Sequence, residues 1–381
     1  MANNKNQLES IYKGKTIIIT GHTGFKGSWL SIWLSSLGAK VVGLSIDIPC
    51  QPSNFEVNEL NNIIDDRRVD IREAEKVREI IYKEEPDFIF HLAAQALVRR
   101  SYENPLDTIL TNAYGSSSIL DALRDFEKKV TVVMITSDKA YDNVEWAWGY
   151  RETDNLGGKD PYSASKGMAE LAIKTYIESF FRKNTNITIG IARAGNVIGG
   201  GDWAEDRIVP DCIRSWSNNL PVDIRNPLST RPWQHVLEPL SGYLALGAAL
   251  TAEQSLHGEA FNFGPSVDQN YSVKELINEM EKSWENVSWN DVSKKDEEFH
   301  EAGLLKLNCD KALALLDWTS TLKFNETVGM TVNWYKNYYQ KKGQKDIYEY
   351  SLDQINQYVS LAREKGILTV AVVTKPFKYE G

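Results

Sequence analysis

A tyrosine and a lysine four residues apart stand in the segment PYSASKGMAE, as Tyr162 and Lys166. On a helix that spacing places them one above the other on a single face. An ammonium there can lower the phenol's pKa, so that Tyr162 takes a proton from a substrate hydroxyl, and can also hold a nicotinamide ribose. A Tyr-x-x-x-Lys pair alone is weak, because chance supplies many. A second group strengthens it: the apolar run VTVVMIT ends in Ser137, Asp138 and Lys139. Ser137 can grip the hydroxyl that Tyr162 deprotonates, although SDKAYDN also reads as a plain turn.

The third candidate is the loop GHTGFKG, which follows the run TIIIT and holds Gly21, Gly24 and Gly27. A strand, a glycine-rich turn and a helix, in that order, suit a dinucleotide: the pyrophosphate sits at the positive end of the helix. The glycines allow positive φ and close approach of backbone N–H groups. Thr23, Phe25 and Lys26 share the loop, and Lys26 either adds a cation near the pyrophosphate or faces solvent. Asp47 lies 20 residues beyond Gly27, at the end of the next strand. It is placed to accept from a ribose 2′-OH and to repel a 2′-phosphate, which favours NAD over NADP. Alternatively, Asp47 simply opens the turn DIPCQP.

The elements that position these groups follow from the apolar pattern. KTIIITG, KVVGLSI, DFIFHLAAQ, VTVVMITS and ITIGIARAGN alternate with SWLSIWLSSLG, EAEKVREIIYKEEP and the segments 104–126 and 163–183. Apolar strands separated by amphipathic helices predict an α/β chain with a Rossmann-type doubly wound parallel sheet. After Gly195 the rhythm changes. The expected division is a cofactor domain over 1–195, rejoined by about 232–265 through QHVLEPLSGYLALGAAL and GEAFNFG. A smaller mixed α/β substrate-binding lobe takes 196–231 and 266–366, and 367–381 has no assigned role.

Composition narrows the function classes. A net charge of −9 over 381 residues gives no basic stripe for nucleic acid. The first residues lack the apolar core of a signal peptide and no membrane-length apolar run follows, so a cytoplasmic enzyme without membrane contact is expected. Cys50, Cys212 and Cys309 are too scattered for a metal site or a disulfide framework. Eleven tryptophans, several beside polar residues in mid-chain, suggest a stacking surface.

Taken together, the glycine loop and the segments TSDKAYDN, EWAWGYRETDNLGGKDPYSASK, GNVIGGGDWAEDRIVPD, RPWQHVLEPLSGYL and HEAGLLKLNCDKA resemble one branch of the extended short-chain dehydrogenase/reductase family. That branch is the nucleotide-sugar 4,6-dehydratases acting on CDP-D-glucose, and the similarity runs from the loop to about Gly366. The resemblance implies conversion of CDP-D-glucose to CDP-4-keto-6-deoxy-D-glucose and water, with the hydride recycled on NAD, in deoxysugar synthesis of the O-antigen type. It implies that Asp138 is the acid for the departing C6 hydroxyl and Lys139 the base at C5; alternatively, Lys139 orients a water or the sugar. On the cofactor side it implies Asp70 and Ile71 at the adenine, Leu92, Ala93 and Ala94 along the cofactor, and Asn112 on the next helix.

For the substrate it implies Asn196 at the phosphate, with Gln95 and Arg99 near the sugar and His300 near the phosphates. Arg207 and Arg231 carry planar forks that suit a pyrophosphate. Trp233 either stacks on the base or fills a core. A homodimer or higher homo-oligomer is expected, through the Tyr162 helix and the one before it. The competing readings are another nucleotide-sugar dehydratase or epimerase, and a non-catalytic NAD sensor, which needs only the glycine loop.

Overall fold

The computed structural model describes residues 5–184, 186–293, 304–340 and 346–367. Its centre is a parallel sheet of seven strands: β1 (Thr16–Thr20), β2 (Lys40–Ser45), β3 (Asp65–Arg68), β4 (Phe88–His91), β5 (Val130–Ile135), β6 (Ile187–Ala194) and β7 (Ala260–Phe263). Their spatial order is β7-β6-β5-β4-β1-β2-β3. The winding reverses between β1 and β4, and open α/β sheets bind ligands outside the carboxyl ends at such a point.

Every residue of β4, β5, β6 and β7 is buried, as expected of strands covered on both faces. Alternation sorts β1 into two cores. Ile17 and Ile19 join one apolar cluster, while Ile18 joins the other with Val42, Ile89 and Val132. The helices that matter for the site are α1 (Phe25–Ser36), α2 (Ala74–Glu84), α3 (Pro161–Tyr176), α4 (Leu237–Ala252), α5 (Phe324–Tyr339) and α6 (Ile347–Glu364).

The strand β3 was not expected. Its sequence, DDRR, has no apolar residue, and it holds the sheet edge with Arg67 paired to Asp65 and Glu84. The smaller lobe is built from short pairs: 222–224 beside 289–291, and 230–231 against 271–272. From there α6 returns to α1. Its Tyr358 ring meets Trp33 edge-on at 5.8 Å, and its hydroxyl donates to Glu238 on α4 at 2.8 Å. The physical reason lies in α1, where Trp29, Leu30, Trp33 and Leu34 are all buried and need cover beyond the sheet.

The tryptophans do not form the expected stacking surface. Trp29, Trp33, Trp216, Trp318 and Trp334 are among the largest fully buried side chains, so most of this aromatic content is core. Trp146 and Trp148, in the segment before α3, are exposed and meet edge-on at 6.1 Å. Among the described residues, no helix is long and apolar enough to cross a membrane.

Candidate active site

At the carboxyl end of β5 the chain turns sharply. Ser137 caps a short 3-10 turn, accepting from the Lys139 N–H at 3.2 Å and donating to Asp138 Oδ1 at 2.9 Å. Opposite it, α3 starts cleanly. Pro161 occupies the first turn and the Asp160 carboxylate accepts from the Ser163 N–H at 3.0 Å. The helix thereby presents Tyr162 and Lys166, both buried, to the Ser137 turn.

The electrostatics separate the roles. Burial pushes the Tyr162 phenol up to about 12, while a hydrogen bond with Ser137 and the charge of Arg207 pull it back. Burial lowers the Lys166 amine to about 8 against the opposing charge of Glu170. Asp138 is raised by burial, although Lys139, Ser137 and Lys26 all favour its ionised form. A carboxyl held up in this way keeps its proton longer than a surface aspartate does.

The sequence reading missed a support behind this site. Glu170 follows Tyr162 and Lys166 at the same four-residue interval. It receives Arg193 Nε and Nη2, each at 2.6 Å, and the Thr136 hydroxyl at 2.6 Å. Arg193 Nη1 also donates to the Tyr141 hydroxyl at 2.7 Å. This fully buried pair ties α3 to β6 and, through Thr136 and Tyr141, to both sides of the Ser137 turn. The available signal was the repeated i, i+4 spacing, but an arginine 23 residues away gives no local hint.

At the other end of the crevice, the glycine loop fits a dinucleotide. Gly21 has φ +75°, and a Cβ there meets Ala93 N at 2.7 Å. A Cβ on Gly27 collides with the Gly21 carbonyl. The N-cap of α1, Gly24, offers no side chain to the first-turn N–H groups, which leaves them for an anion. Thr23 Oγ1 donates to the Asp47 carbonyl at 2.7 Å, and the Asp47 carboxylate is exposed beside it. Ala93 N donates to Thr20 Oγ1 at 3.1 Å, fixing the segment Leu92, Ala93 and Ala94 past β4. Ile71 is buried beneath Gly115. The Asp70 carboxylate is clasped by Arg72, with Nη2 at 2.6 Å, and is held below its usual range.

Three further residues have particular surroundings. His22 turns beneath the loop, packed over Gly43, with Nε2 2.8 Å from Asp66 Oδ1 and Nδ1 3.0 Å from Ser45 Oγ. Asn112 lies in a π-helical turn, Leu110–Tyr114. It accepts from the Gln95 N–H at 2.8 Å and donates to Ser165 Oγ at 2.8 Å, which joins the β4 loop to α3 beside Lys166. Lys26 is turned toward the reaction centre, with its ammonium 3.5 Å from the Tyr243 hydroxyl.

On the expected substrate side, Arg207 pairs with Asp202 at 2.8 Å and its charge reaches Tyr162. Asn196 follows β6, next to Gly195, whose Cα faces Asp138. Arg231 is largely buried in the smaller lobe, with Nη1 donating to the Thr230 carbonyl at 2.8 Å. Arg99 pairs with Asp206 at 3.4 Å. Gln95 is corrected: its Nε2 donates to Thr108 Oγ1 at 2.9 Å and to Leu97 O at 3.0 Å, while its Oε1 accepts from Leu97 N at 2.6 Å. With both ends of the amide engaged locally, it fastens a loop instead of meeting a sugar. Of the two readings of Trp233, the structure fits the core one: the ring is buried and its indole N–H donates to the Tyr271 carbonyl at 3.1 Å. His300 lies outside the described residues. A cleft lined by Asp138, Gly195, Pro232, Gln234 and Leu307 opens beside the acid.

The sheet order, the glycine turn and the tyrosine–lysine helix define a dinucleotide-fold α/β protein of the dehydratase and epimerase type. The sequence model described as GDP-mannose 4,6 dehydratase matches residues 18–331, and the chain belongs to that family. A CDP-glucose 4,6-dehydratase of Salmonella typhimurium is 44% identical over 357 residues, covering 92% of this chain and 98% of that protein. A dTDP-D-glucose 4,6-dehydratase of Dictyostelium discoideum is 26% identical, covering 69% of this chain and 61% of that protein. Among solved structures, an epimerase from Methanothermobacter thermautotrophicus superposes with a TM-score of 0.72 at 25% identity, covering 88% of this chain and 96% of its own. A dTDP-glucose 4,6-dehydratase of Bacillus anthracis, solved in complex with NAD, shares the fold with a TM-score of 0.69 at 18% identity, covering 85% and 97%.

Proposed function

We propose that this chain is a cytoplasmic, NAD-dependent CDP-D-glucose 4,6-dehydratase, which converts CDP-D-glucose to CDP-4-keto-6-deoxy-D-glucose and water. The observation that carries the reading is Asp138. It is a buried carboxyl raised toward its neutral form, next to Ser137 and Lys139 and facing Tyr162. Oxidation at C4 alone does not need such an acid; expulsion of a C6 hydroxyl does. The name of the Salmonella typhimurium relative supports the cytidine nucleotide.

The first-turn N–H groups of α1 and the three loop glycines would hold the pyrophosphate of NAD, Asp47 the adenosine ribose, Ile71 the adenine and Lys166 the nicotinamide ribose. Bound NAD would supply the hydride acceptor for C4 and the hydride donor for C6, so no external reductant would be consumed. Tyr162 accepts the C4 hydroxyl proton at its phenolic oxygen while Ser137 grips the same hydroxyl. The C4 ketone acidifies C5, and Lys139 is the base that takes that proton. Asp138 donates its own proton to the C6 oxygen, which leaves as water; as the hydride reaches C6 of the resulting enone, the proton held by Lys139 returns to C5, and the proton gained at Tyr162 balances the one lost from Asp138. Asn196, Arg207 and Arg231 hold the diphosphate. Residues 1–195 with about 232–265 act as the cofactor domain, and 196–231 with 266–366 as the substrate lobe.

We also propose a homodimer or higher homo-oligomer. Leu106, Leu110 and Tyr114 before α3, and Met168 and Leu171 on α3, are exposed apolar residues on adjacent helices. A monomer mass by sedimentation at micromolar concentration contradicts that assembly. For the activity, the purified protein is incubated with CDP-, UDP-, dTDP- and GDP-glucose and scanned for the alkaline absorbance of 4-keto sugars. Product from CDP-glucose alone, or far above the rest, is expected. Strong turnover of another nucleotide sugar overturns the base assignment, and an epimer without 4-keto product overturns the dehydratase reading.

A further inference from the structure

Two amide side chains border the cleft beside the acid, whose walls include Asp138, Gly195, Gln234, Gly264 and Gln269. Gln234 is 2% exposed, and its Nε2 donates to the Phe263 carbonyl at 3.2 Å. Gln269 is half-buried, and its Nε2 donates to the Leu322 carbonyl at 3.4 Å. A backbone carbonyl can only accept, so each amide is held with its nitrogen on the main chain and its oxygen on the other side. Both oxygens are shielded from water, and among the described residues neither meets a donor. Such an acceptor has given up its hydration without a partner in exchange, which folded chains seldom tolerate. For a residue that borders a cleft, the missing donor comes from whatever fills the cleft.

The backbone places Gln234 at the reaction end. It lies in the short strand Gln234–His235, which runs parallel to Val197–Ile198 with Gln234 opposite Val197. Just before that partner strand is Gly195, where an added Cβ comes within 3.0 Å of Asp138 Oδ2. The segment that carries the unpaired oxygen is therefore paired to the segment that closes against the acid. A ligand group reaching this part of the cleft belongs to the sugar that reacts, and the donors a hexose offers are hydroxyls.

We propose that Gln234 is a sugar-binding residue whose Oε1 accepts the hydrogen of one hexose hydroxyl of the nucleotide sugar, holding the ring with C6 toward Asp138. The proposal rests on the reading of this chain as a nucleotide-sugar 4,6-dehydratase with Asp138 at C6. It also accounts for an amide at this position. Methionine or leucine offers no acceptor, and an ionised glutamate has no hydrogen for the Phe263 carbonyl. Glutamine does both while staying neutral in a buried place.

The test is calorimetric binding to the protein loaded with NADH in place of NAD, so that no hydride can leave C4 and the ligand stays intact. The ligands are CDP-D-glucose and its 2-deoxy, 3-deoxy and 6-deoxy analogues, each lacking one hydroxyl. Gln234→Met, similar in length but without an acceptor, should weaken CDP-D-glucose by about tenfold. It should leave unchanged the affinity for one analogue, the one that lacks the hydroxyl held by Gln234. Gln234→Asn draws the amide back by one methylene; it should show the same selective loss, and serves if Gln234→Met does not fold. An equal loss for CDP-D-glucose and all three analogues is a merely structural effect and overturns the proposal, as does no loss at all. A loss for CDP-D-glucose that is absent for UDP-D-glucose puts the amide at the cytosine amine and overturns it too. Turnover of the unaltered protein with NAD separates the two levels. If CDP-D-glucose gives no 4-keto-6-deoxy product, the dehydratase reading fails and the proposal with it. If product forms and the variants show no selective loss, only the role of Gln234 falls.

Discussion

Two aspartates follow strands of the same sheet, and their surroundings push them in opposite directions. Asp70, past β3, is partly exposed and clasped by Arg72, so it stays ionised. Asp138, past β5, is enclosed, and burial outweighs the cations that face it. The comparison extends to the elements around them. At the proposed cofactor end the groups suited to the pyrophosphate are backbone: loop N–H groups, a helix terminus and glycines without a Cβ. At the reaction end they are side chains whose protonation depends on partners from α1, α3 and β6. One end is suited to gripping a fixed anion, the other to moving protons.

The comparison can be broken first at the reaction end. Tyr162→Phe should lower product formation by about 10²–10⁴-fold, with the circular dichroism spectrum unchanged. An intact rate removes Tyr162 from the first step. Next come the two ion pairs. Arg193→Met strands the fully buried Glu170 and should cost about 3–5 kcal/mol in denaturant unfolding. The half-exposed pair at the cofactor end is a control, and Arg72→Ala should cost no more than about 1 kcal/mol. Equal losses would erase the distinction between the two ends. Arg207→Ala should then weaken substrate by about 2 kcal/mol, the lower end of the range for a desolvated pair because this side chain is only half-buried. It should leave calorimetric NAD affinity in place; an unchanged Michaelis constant for CDP-glucose contradicts its assignment. The smallest effect is at Asp47. Its replacement by Ser should narrow the preference for NAD over NADP by about tenfold, and tighter NADP binding by the unaltered protein contradicts the ribose role.

How far the sequence could be read follows the same division. Five of the seven sheet strands stand out as apolar runs, because both faces of a central parallel strand are covered, and β7, AFNF, reads as a strand rejoining the sheet. The remaining strand, β3, lies at the opposite edge from β7 and is made of DDRR, held by charges and by its pairing to β2, and no periodicity marks it. The glycine loop was legible because a backbone requirement leaves a local spacing. Tyr162, Lys166 and the Ser137 turn were legible for the same reason: a helix register and a strand end are local. Gln95, Trp233 and the Glu170–Arg193 pair were not, since their roles depend on partners far along the chain. Gln95 stands next to a strand end, where a substrate ligand is expected, but Thr108 and Leu97 engage its amide. Trp233 sits in a polar stretch, yet Tyr271 takes its N–H and the core takes its ring. Lys26 stood open between pyrophosphate and solvent, and in the structure its ammonium meets the Tyr243 hydroxyl.

The central claim is that oxidation and elimination are carried by different groups: Tyr162 for the first, Lys139 and Asp138 for the second. The measurement that tests it most directly is a single-turnover absorbance trace of Lys139→Met mixed with NAD and CDP-glucose, with the 4-keto-6-deoxy product assayed in parallel. Methionine is similar in length to lysine but cannot accept a proton. Reduced nicotinamide should accumulate up to the concentration of sites and persist without 4-keto-6-deoxy product, and Asp138→Asn should stall in the same way. Turnover of Lys139→Met at a near-normal rate, or the absence of any reduced nicotinamide, contradicts the account.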